Sequence, residues 1–414
     1  MRKIAVLFVL GLAAVPAWAG GFQVTAQSAR SMGMGLATTG VADDASAIYY
    51  NPAGLAFQKT SWVAGGMLAT KLAGQYTAPG GPVEDQQQSV NVLPQLYYAQ
   101  PVGPVVLGLG AYTPFGLPLQ WENRDTFTGR RVSYLANIRT ANVNPTAAIR
   151  LGNLGIGAGV DWVHSKIQFE RRQAQNLGPL GIRDIADAKL KSELFDADGF
   201  GWNAGVLWQG ALLRVGASYR SAIDIDHEPV LTITQIPTGI ASVDATIAAG
   251  LPSAPLDAQV AIELPASLNI GASFATASTT FAVEADRTEW SSFSQLAVVV
   301  PAAPSLGTTR NTNWRDTWAY RVGIETTCGS WQCRAGYYVD ETPQPLADVG
   351  PVLPDADRQG FTVGVGIPFG ALTVDIGYVL VRFDDVTTSA TTTDQLAGLW
   401  ETTGSELAIN LRFN

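Results

Sequence analysis

Leu372-Thr373-Val374-Asp375-Ile376-Gly377-Tyr378 alternates without a slip. Leu, Val, Ile and Tyr share one face; Thr, Asp and Gly share the other. Alternation with a period of two marks a β-strand whose faces meet different surroundings. Phe361-Thr362-Val363-Gly364-Val365-Gly366-Ile367 repeats the pattern. Trp318-Ala319-Tyr320-Arg321-Val322-Gly323-Ile324-Glu325 does so with Arg321 and Glu325 on the small or polar side. A half-buried strand of a soluble protein would alternate too. Here the polar face is rich in glycine and the apolar face in aromatics, as expected for strands with a lumen on one side and lipid on the other.

The connections outside these stretches fall into two kinds. Short ones lie near Pro101–Pro104, Leu151–Asn153, Gln209–Ala211, Ala275–Ser278, Cys328–Cys333 and Pro368–Ala371. Long ones lie near Ala73–Ser89, Pro114–Tyr134, Arg171–Asp198, His227–Leu256, Ser292–Trp314, Thr342–Arg358 and Asp384–Thr402. The two kinds alternate along the whole chain, which predicts about fourteen strands, with the last spanning Glu406–Asn414. An even count, short turns on one side and long loops on the other describe an antiparallel transmembrane β-barrel. Closure also removes the unpaired edge that an open sheet would expose to hydrocarbon. Asn144-Pro145 and Leu264-Pro265 place proline inside candidate strands, and each predicts a bulge or a break. By alternation Glu284, Asp286, Arg321, Glu325 and Asp375 face the lumen. A charge on the lipid face would cost roughly 2–4 kcal/mol for Arg at the midplane.

Composition agrees. Hydrophobic residues make up 47% and charged residues 15%, against a usual charged share of about 25%. Arg2 and Lys3, the apolar run Ile4 to Val15 and Ala17-Trp18-Ala19 read as a secretory leader over residues 1–19. Its run is too short to span a membrane. The expected organisation is therefore a leader at 1–19, a non-alternating segment at 20–57 and a barrel at 58–414, placed in the outer membrane of a Gram-negative bacterium. The net charge of −9 argues against nucleic acid. Cys328 and Cys333, in an exported chain, are expected to form a disulfide across a short turn. Two thiols without neighbouring His or carboxylates make a poor metal site, so no metal and no cofactor are expected. The two histidines, His164 and His227, sit in no triad, and no phosphate-cradling glycine loop occurs. The chain reads as a non-enzyme.

Gly20 to Phe57 lacks the strand period and needs something around it. Asn51-Pro52-Ala53-Gly54 within it reads as a turn. Gly21-Phe22-Gln23, Gln27-Ser28-Ala29, Asp43-Asp44-Ala45 and Asn51-Pro52-Ala53 resemble the start of the FadL family of outer-membrane transporters. Thr113-Pro114-Phe115-Gly116, Gly199-Phe200-Gly201-Trp202-Asn203-Ala204-Gly205, Trp290-Ser291-Ser292-Phe293 and Leu353-Pro354-Asp355-Ala356-Asp357-Arg358 continue the likeness in order.

The resemblance implies a fourteen-stranded barrel plugged by its N-terminal segment, the hatch, with Asn51, Pro52 and Ala53 matching the hatch motif. It implies capture of a hydrophobic ligand by outer loops, transfer to an internal site and exit sideways through a kink in the wall. A long-chain fatty acid is the first expectation; an aromatic or alkane hydrocarbon is the alternative. A general porin or a structural barrel is a third reading. Phe115, Leu117, Leu119, Trp121 and Phe127 crowd one long loop and are candidates for the capture groove, with loop packing the plainer reading. Lys166 and Arg315 align with basic positions the family uses near a ligand carboxylate. As alternatives, Arg315 pairs with Asp316, and strict alternation from Val160 turns Lys166 outward. The other expected partners are outer-membrane lipid and lipopolysaccharide, around a monomer.

Overall fold

The computed structural model describes residues 20–177 and 182–413. The leader expected at 1–19 and the terminal Asn414 lie outside the described residues. Fourteen strands build the wall: β1 (Trp62–Thr77), β2 (Val90–Val102), β3 (Val105–Tyr112), β4 (Leu135–Leu151), β5 (Leu154–Leu177), β6 (Phe195–Gln209) and β7 (Leu213–Arg220). They continue as β8 (Ser267–Ala275), β9 (Thr279–Thr288), β10 (Thr317–Cys328), β11 (Trp331–Asp340), β12 (Arg358–Phe369), β13 (Leu372–Phe383) and β14 (Gly398–Phe413). Each pairs antiparallel with its sequence neighbours. β14 returns to β1, from Val63↔Phe413 to Thr77↔Leu399, and closes the ring.

In β13 the pattern is realised as read: Tyr378 and Leu380 are exposed on the outside, while Asp375 and Val379 are buried inside. The five charged residues turned inward by alternation all find partners there. Arg321 pairs with Asp286 and lies 3.3 Å from Asp340, and Asp375 is held by Arg334 at 2.7 Å and Arg412 at 3.0 Å. Glu284 accepts two hydrogen bonds from Thr39, and Glu325 binds Arg30 at 2.9 Å. Pairing is what makes their burial tolerable.

Thr39 and Arg30 belong to the N-terminal segment, which fills the lumen. It contains α1 (Ala29–Gly33), α2 (Ala47–Tyr50) and a 3-10 turn at Pro52–Phe57. None of these can hold itself up, because isolated helices this short are unstable. The wall holds them. Ala29 N donates to Asn410 Oδ1 of β14 (2.6 Å), Gly35 N to Thr362 Oγ1 of β12 (3.0 Å), and Gln95 Nε2 of β2 to Ala26 O (2.8 Å). The inward glycines now have a cause: the plug's backbone touches them. A Cβ on Gly157 would stand 2.5 Å from the Pro52 carbonyl oxygen, and one on Gly155 2.5 Å from that of Ala53.

Three places break the wall. Between β4 and β5 the ladder skips Asn144 and Pro145, yet Val143↔Trp162 and Thr146↔Gly159 keep one register. Pro145 therefore opens a gap without a bulge. After β7 and before β8, Ile223–His227 and Val260–Leu264 form a separate hairpin, set off by Ser221-Ala222 and Pro265-Ala266. Ile223 of this hairpin lies against Gly199 and Gly201 on the inner face of β6. At the end of β3 the pairing with β4 passes from Tyr112↔Asn142 to Gly116↔Arg139, one extra residue on the first side. Beyond Leu96↔Ala111, β2 has no partner in β3, and the two strands part.

A leucine at 157 should unseat the plug, at about 1–3 kcal/mol for forced overpacking. Gly157→Leu is expected to show raised ion conductance in planar bilayers, while Gly250→Ala, in open space, conducts like the parent. Equal conductance of both would disprove the contact's importance.

Candidate functional site

The turn at Asn51 is built by its own side chain. Oδ1 accepts from Ala53 N (3.1 Å), while Nδ2 donates to Thr39 O (3.0 Å) and to Val206 O of β6 (3.1 Å). One amide thus closes the turn, ties two parts of the plug together and fastens both to the wall. Pro52 occupies the first position of the 3-10 turn, where its missing N–H costs nothing. Beside it, Arg220 of β7 donates to Tyr49 O (3.2 Å) and to Asp161 Oδ2 (2.5 Å), with its guanidinium 5.1 Å from the Tyr49 ring centre. At the turn-side end of the wall Arg30 grips Glu325, Asp43 and Asp44, and Arg214 of β7 grips Asp43 at 2.9 Å. The face toward β2–β4 is apolar instead, with Ile48, Leu55, Tyr97 and Val106 in one cluster.

The start of the plug lies under the long loops. Gly21, with φ +59°, lets the chain pass against the Trp290 ring, where any Cβ would stand 2.6 Å from it. Phe22 then enters an aromatic nest, its ring centre 5.0 Å from Trp290, 5.7 Å from Phe293 and 5.8 Å from Phe115. Its backbone pairs with the stretch where β3 leaves the wall: Val24 N donates to Pro114 O (2.8 Å) and Gly116 N to Phe22 O (3.1 Å).

Two cavities flank this nest. An outer one of about 330 Å³ has apolar walls including Ile138, Phe169, Val260, Ile262 and Val298, with Arg131, Arg171, Arg310, Glu170 and Asp394 also on its lining. An inner one of about 490 Å³ is bounded by Phe22, Leu93, Leu119 and Phe383, with Arg358 and Glu406, and reaches both edges of the β2–β3 parting. Ile138 lines both. The loop at 342–357 covers both as well, through Val352 on the outer and Leu353 to Asp355 on the inner.

A model of the outer membrane protein transport proteins (OMPP1/FadL/TodX) matches residues 10–413. The chain belongs to this family. It is an outer-membrane transporter of hydrophobic compounds and not an enzyme. A long-chain fatty acid transport protein of Salmonella typhi is 26% identical over 400 residues, covering 91% of this chain and 90% of that protein. A Pseudomonas aeruginosa FadL homologue superposes with a TM-score of 0.84 at 20% identity, covering 95% of this chain and 99% of that one. The Pseudomonas putida toluene transporter TodX does so with 0.74 at 16%, covering 96% and 99%.

Two expected head-group residues lie away from the two cavities. Lys166 shares the outward parity of Val160 and Trp162 and lies in register with Arg139 and Asp196. Arg315 is exposed, its Nε donating to Thr342 O at 3.4 Å. Neither is on the lining of the two cavities described above. Phe115, Trp121 and Phe127, expected in the capture groove, are buried. Trp121 stacks on Phe127 at 4.1 Å and donates Nε1 to Pro351 O at 3.2 Å. Leu119 is placed on the wall of the inner cavity, and the Leu117 side chain lies outside the described ones. Cys328 and Cys333 are joined in the turn between β10 and β11.

Sequence reasoning missed Arg171 because it ended β5 before that residue. The signal was present, since counting on from Val160 gives Arg171 the inward parity. Arg171 donates to Leu306 O at 3.1 Å, and among the described residues no carboxylate lies within ion-pair reach of it. In the covering loops, burial pushes the Asp394 carboxyl above its ordinary range, opposed by Arg310. Burial raises Asp357 to about 6, opposed by the Thr342 amide and Arg315.

Removing the Asn51 amide should loosen the plug and spare the wall. Asn51→Ala is expected to speed hydrogen exchange of residues 47–57 by about five- to 150-fold, for a loss of about 1–3 kcal/mol; unchanged exchange would show that the turn holds itself. Asp357 gives a pH effect of fixed sign. A carboxyl raised in the folded state binds its proton more tightly there, so its contribution is intact below the ordinary 3.8 and is lost as pH rises through about 6. Thermal unfolding of the parent should therefore fall below that of Asp357→Asn between pH 4 and 7, and parallel curves would refute this.

Proposed function

We propose that the protein takes up long-chain fatty acids by passive diffusion, capturing them in the outer cavity and passing them to the inner one. Release is gated by the hatch. The observation that carries the ligand class is Arg171: a guanidinium at the margin of an apolar cavity with no carboxylate in reach among the described residues. A half-buried cation of this kind is stabilised by an anion, and a fatty acid brings a carboxylate together with an apolar tail that fits the walls. A neutral aromatic or alkane has no use for it. Relatives named as long-chain fatty acid transport proteins support the same choice.

The gate follows from the backbone pairing of residues 22–24 with 114–116. The segment of β3 that has left the wall is held by the plug, so movement of the plug frees that edge and widens the β2–β3 parting. Glycine contacts and the Asn51 amide set how far it travels. Apolar residues exposed around the whole outer face suit a monomer bedded in outer-membrane lipid and lipopolysaccharide.

Arg171→Ala tests the ligand. Oleate binding to the purified protein should weaken about ten- to hundredfold, as for a lost charged hydrogen bond of about 1.5–3 kcal/mol, with toluene uptake unchanged. Equal loss of both, or of neither, would overturn the carboxylate reading.

A further inference from the structure

A third, polar cavity of about 40 Å³ lies in the lumen toward the long-loop ends of β9–β12, beside Gly20. Four carboxylates line it, Glu284, Asp286, Asp340 and Glu341, against two guanidinium groups, Arg321 and Arg358. The space takes a water-sized group and no hydrophobic ligand. The carboxylates are not used up by the arginines. Asp340 is 3% exposed, and its Oδ1 and that of Asp286 accept no hydrogen bond among the described residues. Asp340 Oδ1 does lie 3.3 Å from Arg321 Nη2, without hydrogen-bond geometry. Arg358 Nε is 3.3 Å from Asp340 Oδ2. Among the described residues no group of His, Cys, Asp and Glu has the arrangement of a metal site.

Gly20 is also the residue that leader removal after Ala19 would make the first of the chain. Its neighbour is fixed, since Gly21 N donates to Asp355 Oδ2 at 3.0 Å and Phe22 is locked in the aromatic nest. Gly20 lies on the cavity lining, where four carboxylates face two guanidinium groups, and a Cβ on it would stand 3.4 Å from Arg358 Nη2. We propose that this cavity is the seat of the protein's own α-ammonium group: cleavage of the Ala19–Gly20 bond creates the cation that neutralises the Asp286–Asp340 side of the lumen. Hydrolysis of that peptide bond takes up one water, leaving the carboxylate on Ala19 and the amine, protonated, on Gly20. Processing of the leader then completes the plug electrostatically. A chain with residues added ahead of Gly20 presents a neutral amide at that point.

The test uses the full protein purified from outer membranes in detergent. Amines are labelled with a brief pulse of an N-hydroxysuccinimide acetate, and Gly20, Lys59 and Lys71 are compared by mass spectrometry of their peptides; both lysines are exposed and serve as internal controls. The Gly20 amine should label at least tenfold more slowly in the folded protein than after denaturation, with the lysines changing little. Its labelling rate against pH should give an apparent pKa above about 9, where a free α-amino group titrates at about 7.7–8.0. Asp340→Asn and Asp286→Asn should bring that value down; the wild-type titration stands alone if either variant fails to fold. An unprotected amine, an apparent pKa at or below about 8, or a first residue other than Gly20 would each overturn the proposal.

Discussion

In hydrocarbon a backbone N–H or C=O has no partner except the chain itself, and the architecture follows from that. Fourteen strands pair side by side, and β14 returns to β1 so that no edge is left over. Where the rule is suspended, something replaces the missing neighbour. At Pro145 the polar groups of Asn144 and Asp161 turn toward one another inside, with Asn144 Nδ2 2.8 Å from Asp161 Oδ1. At Pro265 a whole hairpin leaves the wall and lies against β6. Past Tyr112, β3 exchanges its neighbour β2 for the plug. The first two breaks are sealed by the protein's own packing; the third is sealed by a part that has no strand ladder of its own.

That plug is gripped by two kinds of contact. Toward β7–β14 it is held by charges and hydrogen bonds, Arg30 and Thr39 foremost, which are directional and fail abruptly when displaced. Toward β2–β4 it rests on apolar Ile48, Leu55 and their neighbours, with hydrogen bonds from Gln95 and Tyr97 of β2 besides.

The wall was legible in the sequence because alternation and turn length are local. Leu372–Tyr378 declares its two faces unaided, and the long and short connections count the strands. The inward placement of Glu284 and Asp375 followed from parity. What was not legible depends on contacts between distant residues. Phe115, Trp121 and Phe127 look like a groove in one loop, and only their neighbours Pro351 and Trp400 show them to be a packed core. Lys166 matched a family position, yet parity already turned it outward, and parity decided. Arg171 was hidden because a long connection was expected from Arg171 to Asp198, whereas β5 continues to Leu177. The glycines were read correctly as inward, but the reason for them, a backbone lying against the wall, is a fact about another part of the chain.

The separations in sequence within the plug's contacts bear on how the molecule comes to be assembled. Arg30 meets Glu325 across 295 residues, and Ala29 meets Asn410 across 381. The segment exported first therefore finds its partners last, since contacts of such range form only after the intervening chain is in place. Until β10 and β14 exist, the N-terminal segment has no Glu325 and no Asn410 to bind. The lumen is then a mould that is finished before it is filled.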